Sequence, residues 1–182
     1  MKHVVLDLET FGVAADSAVV SIGAVVLGDP TVAFYRVVKN PSGSVDPGSL
    51  RWWLDQREEV RAAIKGGQAE SEVLVEFGQW LGGVREDADG LTDGVPLRLW
   101  GSEDFDTVIL GAAYERNGLP RPWHYQEPRG LRTILEAAGV DEDALPWDGI
   151  EHIAIDCARH AAKALSIALA TPAAPREEDA HA

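Results

Sequence analysis

The chain has 182 residues, 46% of them hydrophobic and 25% charged, which is the composition of one soluble globular domain. No stretch approaches the roughly 20 apolar residues that a membrane-spanning helix needs, and no signal peptide is expected at the N-terminus. The single cysteine, Cys157, excludes an internal disulfide and suits a reducing environment. We therefore expect a cytoplasmic protein with no membrane partner.

The formal net charge of −14 is distributed unevenly along the chain. Residues 1–68 contain eight acidic and seven basic side chains, residues 69–93 contain seven and one, and residues 94–150 contain ten and five. Nonspecific nucleic-acid binding depends on Lys and Arg side chains that neutralise phosphates. The acidity by itself therefore argues against a polyanionic partner, except at the nearly neutral first 68 residues.

Three strands are predicted at the start of the chain, over residues 2–8, 18–27 and 31–38, where Val and other apolar residues cluster or alternate. A turn at residues 28–30, Gly-Asp-Pro, separates the second strand from the third. The three strands are expected to form an antiparallel meander.

Helical spacing of apolar residues begins near residue 51. The predicted helices are residues 51–64 with a break near Gln56, a helix around residues 73–81 that ends at Gly82-Gly83, residues 104–117, residues 131–138 closed by Gly139, and a last helix from about His152 to Ala170. A fourth strand is predicted over residues 96–100, after an acidic loop at residues 85–94. This order indicates an α/β domain with a mixed sheet over residues 1–170, followed by a disordered acidic tail at 171–182.

Two carboxylates, Asp7 and Glu9, stand two positions apart on the first predicted strand, so that their side chains share one face. Carboxylates held together among apolar neighbours repel each other and lose hydration unless a cation joins them. Hard oxygen ligands favour Mg²⁺ or Mn²⁺. The alternative is a strand end whose acids lie in solvent.

Two further segments carry acidic residues that could also bind a metal ion. Asp106 follows Phe105 where the fourth strand leads into a helix; favourable contact with the helix dipole explains the neighbouring Asp104 better than it explains Asp106. His152 and Asp156 stand four residues apart at the start of the last helix, where they would share one face. A histidine beside a metal-bound carboxylate can deprotonate water near neutral pH, although a surface His–Asp pair is the simpler alternative.

Taken together, this order of acidic motifs resembles that of the DEDD 3′–5′ exonucleases, whose fold is ribonuclease H-like. The segment from Asp7 to Thr10 is similar to their first motif, Phe105-Asp106 to the second, and His152 with Asp156 to the third. The segments Trp52–Gln56 and Arg129–Thr133 are similar to the phage exonuclease A and exonuclease VIII type.

The resemblance implies hydrolysis of phosphodiester bonds from single-stranded 3′ ends, with release of nucleoside 5′-monophosphates. Two divalent ions, Mg²⁺ or Mn²⁺, would be held by four carboxylates, and His152 would be the general base. The ligands implied are Asp7, Glu9, Asp106 and Asp156. The residues expected to contact substrate are Thr10, Phe11, Trp53 and Arg129. DNA is slightly favoured over RNA, and a homodimer is possible.

The third motif departs from the histidine subgroup, in which the histidine precedes the last aspartate by five positions. Here the interval between His152 and Asp156 is four, which leaves two alternatives. Either Asp156 is the ligand with a shifted base, or Cys157 replaces the acid at the fifth position. The second alternative keeps open a rival function, a catalytically impaired module of the same fold that binds nucleic acid or protein.

Overall fold

The computed structural model describes residues 1–86 and 96–171, within which the strands form one mixed sheet. The strands are β1 (Lys2–Thr10), β2 (Val19–Val26), β3 (Asp29–Lys39), β4 (Gln68–Ala69), β5 (Leu97–Gly101) and β6 (Pro128–Gly130). Their order across the sheet is β4-β3-β2-β1-β5-β6. β1, β2 and β3 pair antiparallel, as the predicted meander requires, and the remaining pairs are parallel. The predicted mixed α/β sheet is confirmed.

Helices flank this sheet on both faces. They are α1 (Pro47–Asp55), α2 (Glu58–Ala63), α3 (Glu70–Arg85), α4 (Asp106–Arg116), α5 (Leu131–Ala138) and α6 (Ala154–Ala170). Asp46 caps α1, where its Oδ2 accepts a hydrogen bond from the Ser49 amide at 2.7 Å. The interruption between α1 and α2 lies at the predicted position, Gln56.

The alternation of side chains along β1 divides the core into two layers. Val4, Leu6 and Leu8 pack against α3 and α4, whereas Val5 belongs to the layer beneath α5 and α6. Asp7 and Glu9 have the same parity as Val5. They therefore project on the α6 side of the sheet.

Helix α3 continues through Gly82-Gly83 to Arg85, so the predicted end at the glycine pair is wrong. Two glycines in a helix interior cost about 1 kcal/mol each relative to alanine. Tertiary contacts beyond the pair offset this cost, because Val84 is buried in the core and Arg85 forms a two-pronged ion pair with Glu127 at 2.5 and 2.6 Å.

The last helix begins at Ala154, so its predicted start at His152 is also wrong. His152 has a φ of +68°, in the left-handed region, and Ile153 is extended. Neither conformation continues a right-handed helix in the N-terminal direction. The expected shared helical face of His152 and Asp156 therefore does not exist.

Two short parallel strands, β4 and β6, were not expected from the sequence. The segment before residue 128 is rich in Pro and aromatic residues, and three residues carry too little periodicity to indicate a strand. Residues 87–94 of the predicted acidic loop and 172–182 of the predicted tail lie outside the described residues. In the described part of the chain, no helix combines the length and apolarity that crossing a bilayer requires.

Gly23 permits a close approach of two backbones where α6 begins over β2. A Cβ at this position would overlap the backbone carbonyl of Ala154 and the amide nitrogen of Ile155. Gly23 is also the cross-strand neighbour of Asp7. The close packing of α6 beside the acidic end of β1 therefore requires that position 23 has no side chain.

We predict that Gly23→Ala lowers the free energy of unfolding by about 1–3 kcal/mol or more, because backbone atoms must move apart. The matched control is Gly82→Ala in α3, where a Cβ would meet nothing within 4 Å. That change should raise stability by about 0.5–1 kcal/mol. Urea denaturation of both variants measures the difference, and equal midpoints would contradict the close approach.

Candidate active site

The site is built around the C-terminal half of β1. Pairing between β1 and β5 ends at Val5 and Trp100, whereas β1 continues to Thr10. The amide of Leu8 donates instead to Oδ1 of Asp106 at 3.0 Å. A side chain from the first turn of α4 thus replaces the missing strand and joins the two predicted acidic motifs.

Asp106 is held rigidly by backbone donors. Its residue is 3% exposed, and its Oδ2 accepts a second hydrogen bond from the Ser102 amide at 2.6 Å. Burial raises the pKa of Asp106 to about 6, against the opposing effect of the hydrogen bonds from Ser102 and Leu8. A Cβ at Gly101 would lie 2.8 Å from Oδ2, so glycine leaves the space for this carboxylate.

The carboxylates of Asp7 and Glu9 repel each other in an environment with little solvent. Burial raises the pKa of Asp7 well above its ordinary value, and the carboxylates of Asp106, Glu9 and Glu142 raise it further. Burial, followed by the charge of Asp106, raises the pKa of Glu9 to about 7. Glu142, in the segment between α5 and α6, is an acidic neighbour that the sequence analysis missed because no motif marks it.

The donor set fits a divalent cation. Glu9 is only 8% exposed, and no described residue donates a hydrogen bond to its carboxylate. Ionising a largely buried carboxylate close to other carboxylates is costly unless a cation compensates its charge. Mutual repulsion with Asp7 and Asp106 increases that cost, and positive charge placed between the three would remove it.

Cys157 is the residue that completes a close group with the two carboxylates of β1. Among the described residues, one set of three potential ligands has its donor atoms within 4.8 Å of one another, and it consists of Asp7, Glu9 and Cys157. Cys157 lies in the first turn of α6 and is partly buried. Burial, followed by the charges of Asp7 and Glu9, raises the pKa of its thiol.

Asp156, the predicted fourth ligand, points elsewhere. Its Oδ2 accepts a hydrogen bond from the Ile150 amide at 2.9 Å, and its Oδ1 lies 3.4 Å from a guanidinium nitrogen of Arg159. Gly149, with a φ of +122°, passes so close that a Cβ there would lie 2.6 Å from the Asp156 carboxyl carbon. The carboxylate thus anchors the chain segment that precedes α6.

His152 lies at the edge of the site rather than on α6. Its imidazole packs edge-on against Trp52, with ring centroids 4.7 Å apart. Trp52 in turn lines a cleft with Glu9 and Thr10. A left-handed backbone at a non-glycine residue is a local strain of the kind that is common at functional sites.

Three of the residues predicted to contact substrate, Thr10, Phe11 and Trp53, lie together. The rings of Phe11 and Trp53 are called the aromatic unit below. The Nε1 of Trp53 donates to the Thr10 carbonyl at 2.9 Å, and the rings of Phe11 and Trp53 meet edge-on at 6.3 Å. Trp53 is 4% exposed and Trp52 is 41% exposed, which is the division expected of adjacent aromatic residues on a helix. Phe11 and Trp53 also line a largely apolar groove whose charged lining residues are Glu58, Arg61 and Lys65.

Arg132, rather than Arg129, is the arginine that reaches the acidic cleft. Arg132 lines the cleft together with Asp7 and Asp106. The guanidinium of Arg129 instead donates to the carbonyl oxygens of Gln126 and Pro128, at 2.7 Å each. Sequence reasoning could not separate the two, because both belong to the same basic motif and only the turn from β6 into α5 distinguishes them.

The raised pKa of Glu9 predicts a pH dependence of stability in protein treated with a chelator. Because the folded-state pKa is about 7 and the ordinary value is 4.5, this group contributes its full stability below the ordinary value and loses it as pH rises through 7. The loss should be on the order of 3 kcal/mol. Urea denaturation between about pH 4 and pH 8 measures it. Glu9→Gln should make the decline smaller, and the raised pKa values of Asp7 and Asp106 should preserve the rest of it. Parallel curves for both proteins would contradict the assignment.

Comparison with known proteins identifies the family of this chain. Residues 2–169 match the family described as the Rv2179c-like 3′-5′ exoribonuclease domain. No curated protein sequence matches the chain significantly. Similarity to the phage exonuclease A and VIII type is not shown, whereas the wider DEDD resemblance is supported.

Solved structures share the fold at low sequence identity. The nuclease domain of 3′hExo, a DEDDh family member bound to rAMP, has a TM-score of 0.57 and 16% identity over 97% of this chain and 96% of that one. Cell-death related nuclease 4 has a TM-score of 0.54 and 14% identity, covering 94% and 64%. E. coli Exonuclease I in complex with a dT13 oligonucleotide has a TM-score of 0.53 and 17% identity, covering 98% and 43%.

The chain thus spans about two-thirds or less of two of these proteins, and their likeness bears on the fold alone. That fold is the expected ribonuclease H-like α/β sheet. The family match covers nearly all of the described residues and carries the activity class. The chain belongs to the Rv2179c-like 3′-5′ exoribonuclease domain family and is a 3′–5′ exonuclease domain by that membership.

Proposed function

We propose that the protein removes nucleoside 5′-monophosphates one at a time from the 3′ end of a single strand, with the help of divalent cations. The observation that carries this proposal is the group of three carboxylates at the end of β1, of which Glu9 and Asp106 are buried and Asp7 is half-buried in a cleft that also contains Arg132. Negative charge at the base would attract cations, and the guanidinium at the wall would attract phosphate.

Asp7 and Glu9 would hold the cations, and Asp106, which lines the same cleft as Asp7, would contribute from the edge of β1 beside Leu8. When bound, Mg²⁺ or Mn²⁺ supplies the positive charge that stabilises the attacking and leaving oxygens of phosphodiester hydrolysis. Two ions follow from the resemblance to DEDD exonucleases. Asp106 has a second task, since its bonds to the Leu8 and Ser102 amides fix β1 against the start of α4.

His152 is proposed as the group that accepts the proton of the attacking water at a ring nitrogen. Its contact with Trp52 places the imidazole beside the cleft that contains Glu9. Asp156, which the resemblance implies as a ligand, is engaged by the Ile150 amide and lies beside the Arg159 guanidinium, outside the close donor group of Asp7, Glu9 and Cys157. We assign it instead to holding the segment that presents His152.

The 3′-terminal nucleotide would enter between the acidic cleft and the ring of Phe11, which is supported from behind by the buried Trp53 and its hydrogen bond to the Thr10 carbonyl. Base stacking on aromatic side chains contributes about 1–3 kcal/mol per base and tolerates any base. RNA is the expected polymer because the family is described as exoribonucleases, whereas the preference for DNA has only the phage resemblance behind it. The excess negative charge of residues 69–150 favours a short contact at the strand end over extended tracking.

The experiment incubates the protein with 5′-labelled single-stranded RNA and DNA of the same sequence, with Mg²⁺, with Mn²⁺ or with chelator. We expect RNA to shorten from its 3′ end only when the cation is present. Asp7→Asn should reduce the rate more than about a hundredfold, because one ligand is weakened, while thermal unfolding remains cooperative. Full activity in Asp7→Asn would contradict the site.

A second variant in the same assay, His152→Asn, removes the imidazole while keeping a residue that tolerates the left-handed backbone. It should lower kcat by about a hundredfold or more and leave KM nearly unchanged. Binding of both polymers without cleavage of either, under every condition, would instead support the rival function, a non-catalytic module. Preferential cleavage of DNA would support the DNA substrate that the resemblance to phage exonucleases implies.

Arg132→Met should raise KM for the oligonucleotide about tenfold, because a charge-assisted hydrogen bond to phosphate is worth about 1.5–3 kcal/mol. The matched control is Arg129→Met, whose guanidinium is already engaged by two backbone carbonyls. Steady-state kinetics on the labelled oligonucleotide measures both. A larger effect at Arg129 than at Arg132 would contradict the assignment of the cleft arginine.

A further inference from the structure

The position at which a fourth acid is expected holds a thiol, and the structure brings this thiol to the carboxylates. The donor atoms of Asp7, Glu9 and Cys157 lie within 4.8 Å of one another. Asp156, one residue earlier, is turned about 100° around the helix axis and bonds to the Ile150 amide. Of the two alternatives that the spacing left open, the geometry therefore favours replacement of the acid by Cys157.

The surroundings of this thiol point to a ligand. The Glu9 residue is more than nine-tenths buried, and its carboxylate receives no hydrogen bond from the described residues although it lies beside Cys157 and Asp7. Donors bound to one tetrahedral ion at about 2.1 Å for oxygen and about 2.3 Å for sulfur would be about 3.6 Å apart. Small side-chain rotations would bring the three donor atoms to that separation.

A thiolate changes which cation such a site prefers. Mg²⁺ requires near-octahedral oxygen coordination, so replacing a carboxylate by sulfur removes one of its favoured ligands. Cysteine sulfur is instead suited to Zn²⁺ and similar borderline or soft cations. Asp7 and Glu9 remain as oxygen donors, which Zn²⁺ and Co²⁺ also accept.

We propose that Asp7, Glu9 and Cys157 form a mixed carboxylate–thiolate metal site that selects thiophilic divalent cations such as Zn²⁺ and Co²⁺ over Mg²⁺. Coordination converts the Cys157 thiol to a thiolate and releases its proton to solvent, because a bound divalent cation deprotonates a coordinating thiol. The inference deepens the proposed function, since it uses the same carboxylates and names the cation that they hold.

Direct evidence for the sulfur ligand would come from Co²⁺ titration followed by optical absorption. We expect a thiolate-to-Co²⁺ charge-transfer band in the near ultraviolet that saturates with one ion per site. Cys157 is the chain's single cysteine, so this band can have no other source within the protein. It should disappear in Cys157→Ala and Cys157→Ser and persist in Asp156→Asn.

Cation preference is measured by thermal unfolding of the same proteins with Zn²⁺ or Mg²⁺. Binding to the folded state raises Tm according to the ratio of cation concentration to Kd. Zn²⁺ should stabilise the wild type at concentrations at least about tenfold below those required of Mg²⁺. Cys157→Asp should reduce or reverse this preference for Zn²⁺ over Mg²⁺, because the substitution replaces the sulfur ligand by an oxygen ligand.

A Co²⁺-dependent rise in Tm without a sulfur band in the wild type would overturn the proposal. So would loss of the cation response in Asp156→Asn but not in Cys157→Ala. Parallel cleavage assays separate the two proposals. Cleavage with Mg²⁺ in the absence of a sulfur band would contradict the thiolate site and support the exonuclease activity. A sulfur band without cleavage under any cation would support the thiolate site and contradict the proposed activity.

Discussion

Three carboxylates, those of the half-buried Asp7 and the buried Glu9 and Asp106, are gathered at the end of one strand. Each raises the cost of ionising its neighbours, and burial raises that cost further. Much of the surrounding structure holds these groups together against their repulsion. β5 stops short of the end of β1, and Asp106 takes over the Leu8 amide in its place. Under the proposed function, divalent cations would compensate this repulsion.

The start of α6 decides which side chain of the third motif meets those carboxylates. Gly23 lets the first turn of this helix lie directly on β2, and the left-handed backbone of His152 delays the helix until Ala154. Neighbouring residues on a helix point about 100° apart, so the register at this point separates the environments of Asp156 and Cys157. Asp156 is satisfied by a backbone amide, while Cys157 faces Asp7 and Glu9.

The same geometry explains how a chain with a net charge of −14 can act on a polyanion. Part of the negative charge is concentrated where cations would compensate it, and Arg132 stands at the wall of that cleft. The nearly neutral first 68 residues contribute the aromatic unit of Phe11 and Trp53, beside Arg61 and Lys65. Attraction is therefore local to a strand end, and long-range steering by the protein's overall charge would oppose binding.

The sequence by itself determined the α/β class, the meander, the helix after Asp106 and the positions of the acidic motifs, because periodicity and turn residues are local signals. It could not determine that α3 passes through Gly82-Gly83, since Val84 and Arg85 gain their stabilisation from distant partners. Nor could it show β6, which needs β5 as a neighbour. Only the tertiary structure turns Cys157 rather than Asp156 towards Asp7 and Glu9, and brings Arg132 rather than Arg129 into the acidic cleft. A one-residue difference on a helix leaves the sequence pattern nearly unchanged but turns the side chain towards a different set of atoms.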